Sequence, residues 1–179
     1  MLDTMPTLEL LQLRPIAEAD QAFLRALYAT TRNHEVAQLD WPPAAIDAFL
    51  SQQFDAQHGY YQAHFPDAEF SVIEAGGQPI GRAYLYWGPE HLQIIDLALL
   101  PDYCGRGVGS RLLGEILARA DALGLSVGLH VENYNPAQRL YQRHGFECLD
   151  ENGVYLKLHR PASFRQPAIA APVAQAATR

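Results

Sequence analysis

The spacing of apolar residues in the first third of the chain predicts one strand followed by two helices. Leu8–Leu13 alternates loosely between apolar and polar residues and predicts a strand that ends at Arg14-Pro15. Apolar residues then recur at helical spacing from Ala19 to about Thr31. A second helical stripe follows Trp41-Pro42-Pro43. Because proline is tolerated in the first turn of a helix, we expect this helix to begin there and to fray near Gly59.

After Pro66 the apolar residues recur at every second position, which is typical of strands. Three consecutive strands are predicted, joined by short glycine-containing turns; they are Glu69–Glu74, Gln78–Trp87 and His91–Leu100. The remaining predicted elements are a long helix from Val108 to Gly124, a strand at Leu125–Val131, a short helix opened by Asn135-Pro136 and ended by Gly145, and a hairpin of Phe146–Leu149 with Val154–Leu158. The predicted order is β-α-α-β-β-β-α-β-α-β-β, an α/β domain with a mixed sheet.

Domain organisation follows from the same pattern. The 179 residues fit one domain, which we place at residues 1–160. Residues 161–179 are rich in Pro, Ala and Gln without periodicity, which predicts a flexible C-terminal tail.

Composition and charge exclude several classes of function. A net charge of −7 disfavours a nucleic-acid partner, which needs clustered Lys and Arg, and weakly favours a cationic substrate. The sequence contains no long apolar run and no signal peptide at Met1–Thr7, so we expect no membrane association. Two cysteines, Cys104 and Cys148, are too few for a disulfide framework or a zinc site. The simplest interpretation is a cytoplasmic enzyme without a metal.

The most specific chemical feature is a glycine-rich turn, PDYCGRGVGS, at Pro101–Ser110. Its alternate glycines allow the backbone to approach a ligand closely. The helix that follows begins with unpaired amides at the positive end of its dipole, and together these form a cradle for a diphosphate. Arg106 adds a guanidinium able to bond phosphate. Neither the P-loop pattern nor the dinucleotide-binding pattern matches, and an isolated turn of this kind is also compatible with a plain strand-to-helix connection.

A second motif, taken together with this turn, indicates which ligand the turn binds. Ile94–Leu113, IIDLALLPDYCGRGVGSRLL, resembles the acetyl-CoA signature of the GNAT superfamily of N-acetyltransferases. Asn135–Phe146, NPAQRLYQRHGF, is similar to the family's second motif, and the two have the family's order and spacing. The resemblance covers Leu8 to Leu158. It implies a GNAT-like α/β fold with a mixed, mostly antiparallel twisted sheet of about seven strands flanked by four helices, and an acetyl-CoA-dependent N-acetyltransferase.

The resemblance also implies where acetyl-CoA binds. The strand around Leu97–Leu99 would pair with the pantetheine arm where the next strand splays away, and an amide near Leu99 would polarise the thioester carbonyl. Asn135 would bond the arm, although capping the short helix is an equal alternative. Cys104 stands where the family usually has Arg or Gln. The predicted cofactor-binding residues are Leu97, Ala98, Leu99, Cys104, Gly105, Arg106, Gly107, Val108, Gly109, Ser110 and Asn135.

Three residues are candidates for proton transfer. Tyr141 is the candidate general acid for the leaving thiolate, with a packing role as the alternative. Asp96, a lone carboxylate in an apolar strand, and Glu132, at the end of the next strand, are the candidate bases. Structural roles are equally compatible with both. The acceptor side is predicted to be lined by a cluster of His58, Tyr60, Tyr61 and His64. His130, on the strand before Glu132, is compatible with lining the same cleft and with a hydrogen-bonded structural role.

These residues predict transfer of the acetyl group to a primary amine by direct attack in a ternary complex. The acceptor would be a small molecule or a peptide, and acidic residues between Asn33 and Pro66 favour a cationic one. A non-catalytic acyl-CoA-binding regulatory module is the alternative, and a different acyl donor is compatible with the same residues. A homodimer is compatible with the fold by analogy.

Overall fold

The computed structural model describes residues 10–163, and these form seven strands and four α-helices. In chain order the elements are β1 (Leu11–Pro15), α1 (Gln21–Val36), α2 (Pro43–His64), β2 (Glu69–Ala75), β3 (Gln78–Trp87), β4 (His91–Leu99), α3 (Val108–Leu123), β5 (Ser126–Glu132), α4 (Gln138–Arg143), β6 (Glu147–Asn152) and β7 (Tyr155–Arg160). Short 3-10 turns precede α1 and follow β4. The order of strands and α-helices predicted from the sequence is confirmed.

The strands form one sheet in the order β1-β2-β3-β4-β5-β7-β6. All neighbours are antiparallel except β4 and β5, which are parallel because α3 connects them as a crossover. One hydrophobic core packs α3 against the sheet, and a second core packs α1 and α2 against the opposite face. The predicted fold class, a mixed and mostly antiparallel sheet of seven strands with four helices, is therefore confirmed.

Several element boundaries differ from the predicted ones for local reasons. β1 extends through Pro15, which an edge strand tolerates. α2 does not fray at Gly59 but continues to His64, since Leu50, Phe54 and His58 keep one face of the helix buried through that position. α4 begins three residues after Asn135, whose side-chain Oδ1 accepts a hydrogen bond from the Ala137 amide within a turn that precedes the helix.

The pairing of β4 with β5 ends halfway along both strands, and this positions the site. The ladder joins His91–Ile94 to Ser126–Leu129, yet β4 continues to Leu99 and β5 to Glu132. A β-bulge in β4 at Ile95, where the register with β3 shifts, coincides with the end of the ladder. Because a bulge bends and twists its strand, β4 turns away from β5 from this residue onward. The C-terminal half of β4 thus borders a gap in the sheet.

The two ends of the chain lie outside the described residues. Most of the predicted tail, from residue 164 onward, is among them, so the tail and the domain limits at residues 1 and 160 stay predictions. Between residues 10 and 163, no helix combines the length and the apolar character needed to cross a membrane.

Candidate active site

The gap between β4 and β5 opens into a cavity of about 590 Å³ on the α1–α2 face of the sheet. It brings together six of the residues singled out from the sequence as site residues: Asp96, Leu97, Ala98, Glu132, Asn135 and Tyr141. Side chains from α1 and α2 close the opposite wall, among them Tyr28, Arg32, Gln57 and Tyr61. The cavity therefore joins the sheet gap to a polar chamber.

Asp96 is held by a buried cation. Arg82 on β3 donates a hydrogen bond from Nη2 to Asp96 Oδ2 at 2.6 Å, and the Arg82 side chain is only 3% exposed. The same Nη2 donates to Gln57 Oε1 at 3.3 Å. Burial is the largest influence and lowers the pKa of Arg82, but the charge of Asp96, the hydrogen bond to it and the neighbouring Tyr84 and Tyr61 together outweigh burial and leave that pKa raised. Asp96 and Arg82 thus form a charge-neutral pair in the cavity wall.

Glu132 has looser partners. Asn135 donates from Nδ2 to Glu132 Oε2 at 3.1 Å, and Arg32 of α1 places Nη1 at 3.8 Å from Glu132 Oε1. Arg32 forms its shorter ion pair, 2.7 Å, with Glu35. Glu132 is therefore the cavity carboxylate whose charge is less fully neutralised.

Tyr141 lines the cavity from α4 and is 6% exposed. Its ring packs edge-on against Phe146 at a centroid distance of 5.6 Å. Burial raises the pKa of the Tyr141 phenol, and the nearby charges of Asp96 and Glu132 raise it further. The phenol therefore stays protonated at any physiological pH, as a proton donor must.

The glycine-rich turn adopts the geometry that its sequence predicts. Gly105 and Gly107 have φ of 69° and 82°, a left-handed conformation that residues with a side chain rarely adopt. The first hydrogen bond of α3 is donated by the Arg111 amide to Gly107 O at 3.0 Å, so the amides before Arg111 precede the helical ladder. A Cβ built on Gly105 or Gly107 would meet no atom within 4 Å. The turn thus presents open backbone at the N-terminus of a 16-residue helix.

The turn and the sheet gap are neighbours. A Cβ built on Gly109 would lie 3.7 Å from Leu99 Cδ1 of β4 and 3.5 Å from Leu140 Cδ2 of α4. Cys104 Sγ donates back to Leu100 O at 3.5 Å, towards the end of β4. An elongated ligand can therefore run from the turn along β4 towards Tyr141.

A sequence profile described as the acetyltransferase (GNAT) family matches residues 30–146, more than half of the chain. The chain belongs to this family. The match spans both motifs, the bulged strand β4 and the α3 N-terminus, so the family's sequence pattern coincides with the geometry described above.

Relatives and solved structures agree with this membership. A Bacillus subtilis (strain 168) protein described as a candidate ribosomal protein bS18-alanine N-acetyltransferase is 33% identical over 85 residues, which are 46% of this chain and 56% of that protein. The chain spans only part of the first two curated relatives, 27% and 56% of their lengths.

Two solved acetyltransferase structures share the fold. PaiA N-acetyltransferase from Thermoplasma acidophilum, in complex with coenzyme A, superposes with a TM-score of 0.64 at 18% identity and covers 85% of this chain and 99% of its own. A GNAT family acetyltransferase from Elizabethkingia anophelis with acetyl-CoA bound gives a TM-score of 0.53 at 19% identity over 86% of this chain and 99% of its own.

The site residues predicted from the sequence fall into two groups. Six line the cavity, whereas Leu99 and the turn residues Cys104–Ser110 lie outside its lining, at the end of β4 and the start of α3. On the acceptor side, Tyr60, Tyr61 and His130 line the cavity as expected. His58 does not, because its ring is buried against Phe54, where burial lowers its pKa. His64 instead stacks on Tyr60 at 3.8 Å.

Sequence reasoning missed the two arginines of the cavity. Arg82 carried the same signal as Asp96, a lone charge in an apolar strand, and the hairpin between their strands makes them neighbours. Arg32 carried no signal, because its contact with Glu132 spans 100 positions and depends on how α1 packs. Within the described residues, no group of three or more His, Cys, Asp and Glu side chains is arranged to hold a metal ion.

Proposed function

We propose that this GNAT protein transfers the acetyl group of acetyl-CoA to a primary amine by direct attack within a ternary complex. The observation that carries the proposal is the gap beyond Ile95, which leaves one edge of Ile95–Leu99 without a β5 partner beside the start of α3. The pantetheine arm contains two amides, and an extended chain with amides can add to an open strand edge. The proposed partners are the backbone groups of Leu97, Ala98 and Leu99, with Asn135 at the other wall.

The residues of the turn fit a diphosphate. The backbone amides of Gly105, Gly107, Val108, Gly109 and Ser110 would hold it, aided by the helix dipole. The open space beside Gly105 and Gly107 supports this role, since a side chain there would occupy the ligand's volume. Arg106 adds a positive charge. Cys104, turned towards Leu100 O, would contribute through its backbone only.

The chemistry requires three proton movements. A carboxylate of the cavity, Asp96 or Glu132, takes a proton from the acceptor ammonium, directly or through water. The amine nitrogen then bonds to the acetyl carbon while the carbon–sulfur bond breaks, and the Tyr141 phenol protonates the leaving thiolate. The second proton that the nitrogen loses on becoming an amide restores the phenol, directly or through water. An amide near Leu99 would polarise the thioester carbonyl.

Two observations, the lining of the chamber and one relative, support a proposal for the acceptor class. Tyr60 and Tyr61 give the chamber an aromatic wall, and Glu132 offers a carboxylate to an ammonium group. The Bacillus relative is described by its action on an alanine of a ribosomal protein. We therefore propose the α-amine of a peptide as one acceptor beside small amines. The homodimer and the cytoplasmic location stay predictions.

Thiol release from acetyl-CoA tests the proposal. The panel comprises polyamines, amino acids and short peptides with an N-terminal alanine, with N-acetylated copies of the same peptides as matched controls. We expect release only with free amines, accompanied by a mass increase of one acetyl group on the acceptor. CoA binding without turnover on any acceptor would favour the non-catalytic module instead.

A further inference from the structure

The last turns of α1 contact the end of β5 and the connection between β5 and α4. Arg32 Nη1 donates to Glu35 Oε1 at 2.7 Å and lies 3.8 Å from Glu132 Oε1. Tyr134 Oη donates to the same Glu35 oxygen at 2.9 Å, and the His34 and Tyr134 rings stack at 5.9 Å. The Arg32 guanidinium also lies over the Tyr28 ring at 5.3 Å. Arg32 is therefore fixed between two carboxylates, one on its own helix and one in the cavity.

The two ion-pair distances decide how the Arg32 charge is shared. Glu35 is within hydrogen-bonding distance of the guanidinium, whereas Glu132 lies beyond it. Coulomb attraction falls with distance, so Arg32 interacts more strongly with Glu35 than with Glu132. Asp96, the other cavity carboxylate, has no such competitor, because Arg82 contacts it at 2.6 Å. A neighbouring cation therefore compensates the negative charge of Glu132 less completely than that of Asp96.

We propose that Arg32 and Glu35 act together as positioning residues for Glu132: Arg32 orients the Glu132 carboxylate, and Glu35 prevents Arg32 from neutralising it, so that Glu132 and not Asp96 receives the acceptor's proton. The inference rests on the proposed function for the meaning of that proton. It assigns a role in the reaction to two residues outside both family motifs.

The other groups that face Glu132 do not replace the charge of this pair. Asn135 donates to Glu132 Oε2 at 3.1 Å, but its amide is neutral. Arg82 and Asp96 neutralise each other. The phenols of Tyr61, Tyr134 and Tyr141 are uncharged, because burial raises the pKa of each. Tyr155 is the cross-strand partner of Glu132 on β7, and His130 precedes it by two residues on β5. Arg32 is the remaining cation of the cavity lining within the described residues.

Titration of the Glu132 carboxyl by NMR in the full chain with CoA added tests the proposal. Glutamate labelled with 13C reports the carboxyl, and Glu132→Gln assigns its signal. Arg32→Gln removes a nearby cation and should raise the Glu132 midpoint. Glu35→Gln releases Arg32 towards Glu132 and should lower the midpoint. The acid limb of kcat/KM for the amine should move in the same two directions.

Matched variants separate positioning from packing. Arg32→Lys keeps a cation and should restore a midpoint close to that of the wild type. Arg25→Gln removes an arginine from the same helix that pairs with Asp55 on the surface, and it should shift nothing. Glu35 is half-exposed, so Glu35→Gln decides alone if Arg32→Gln fails to fold. The Glu132 midpoint must fall in that variant.

An unmoved midpoint in either variant, or shifts of the same sign in both, overturns the proposal. The titration does not depend on turnover, so it tests the role of Arg32 and Glu35 even if the wild-type protein releases no thiol from acetyl-CoA. Such a wild type would refute the proposed function instead. The two failures are therefore distinguishable.

Discussion

Replacing Asp96 by Asn should destabilise the fold far more than it impairs chemistry. The Arg82 side chain is 3% exposed and bonded to Asp96 at 2.6 Å, so the substitution leaves a guanidinium buried without a counter-charge. Breaking a buried pair in this way typically costs about 3–5 kcal/mol. We expect the lower end, about 3 kcal/mol, because the Asn carbonyl can still accept a hydrogen bond from Arg82. For a chain of this size the loss corresponds to a fall in Tm of roughly 6–12 °C.

Urea unfolding with thiol-release assays on the folded variant checks both halves of this prediction. Asp55→Asn, which removes a carboxylate from the exposed pair with Arg25, is the matched control and should cost less than about 1 kcal/mol. Arg82→Met combined with Asp96→Asn should recover most of the lost stability, since no stranded charge remains. A variant Asp96→Asn of unchanged stability but abolished turnover would refute the reasoning and identify Asp96 as the base.

Two further substitutions have defined outcomes. Tyr141→Phe should lower kcat by about 10²–10⁴-fold and leave CoA affinity unchanged, since only the hydroxyl is lost and the ring still packs on Phe146; calorimetry and thiol release measure this, and an equal loss of binding would contradict it. Asp20→Asn should reduce stability by about 2 kcal/mol at neutral pH, because hydrogen bonding to Arg14 lowers the pKa of Asp20 from 3.8 to about 2. A carboxyl whose pKa is lower in the folded state stabilises the fold at pH values above its unfolded-state pKa. The difference in stability between Asp20→Asn and the wild type should therefore vanish as the pH falls from about 4 to about 2. A stability difference that stays constant with pH in thermal unfolding would count against this prediction.

The elements of this fold were predictable because their apolar residues repeat with a clear period. Gln78–Trp87 matches its predicted bounds, and the start of α3 at Val108 follows directly from the glycines before it. The misplaced boundaries involve short-range competition. The Asn135 side chain bonds the Ala137 amide and delays α4, a choice between cap and turn that spacing alone does not decide.

The site was predictable where it depends on local backbone and less so where it depends on register. The left-handed turn at Gly105 and Gly107 follows from residue type, because glycine alone adopts that conformation freely. The bulge at Ile95 carries no such signal, yet it places Asp96 opposite Tyr84 and opens the gap beside β5. The contact of Arg32 with Glu132 requires the packing of α1 against the far end of β5, which no local pattern encodes.

Isothermal calorimetry of CoA with the wild type and two glycine variants tests most directly whether the start of α3 binds the diphosphate. The wild type should bind with measurable heat. Gly107→Val should bind at least about tenfold more weakly, because a β-branched residue abandons the φ of 82° that aims the turn's amides. Gly114→Ala, in the middle of α3 with open space at its Cβ, should bind as the wild type does. No heat with the wild type, or equal affinity of Gly107→Val, would contradict this site.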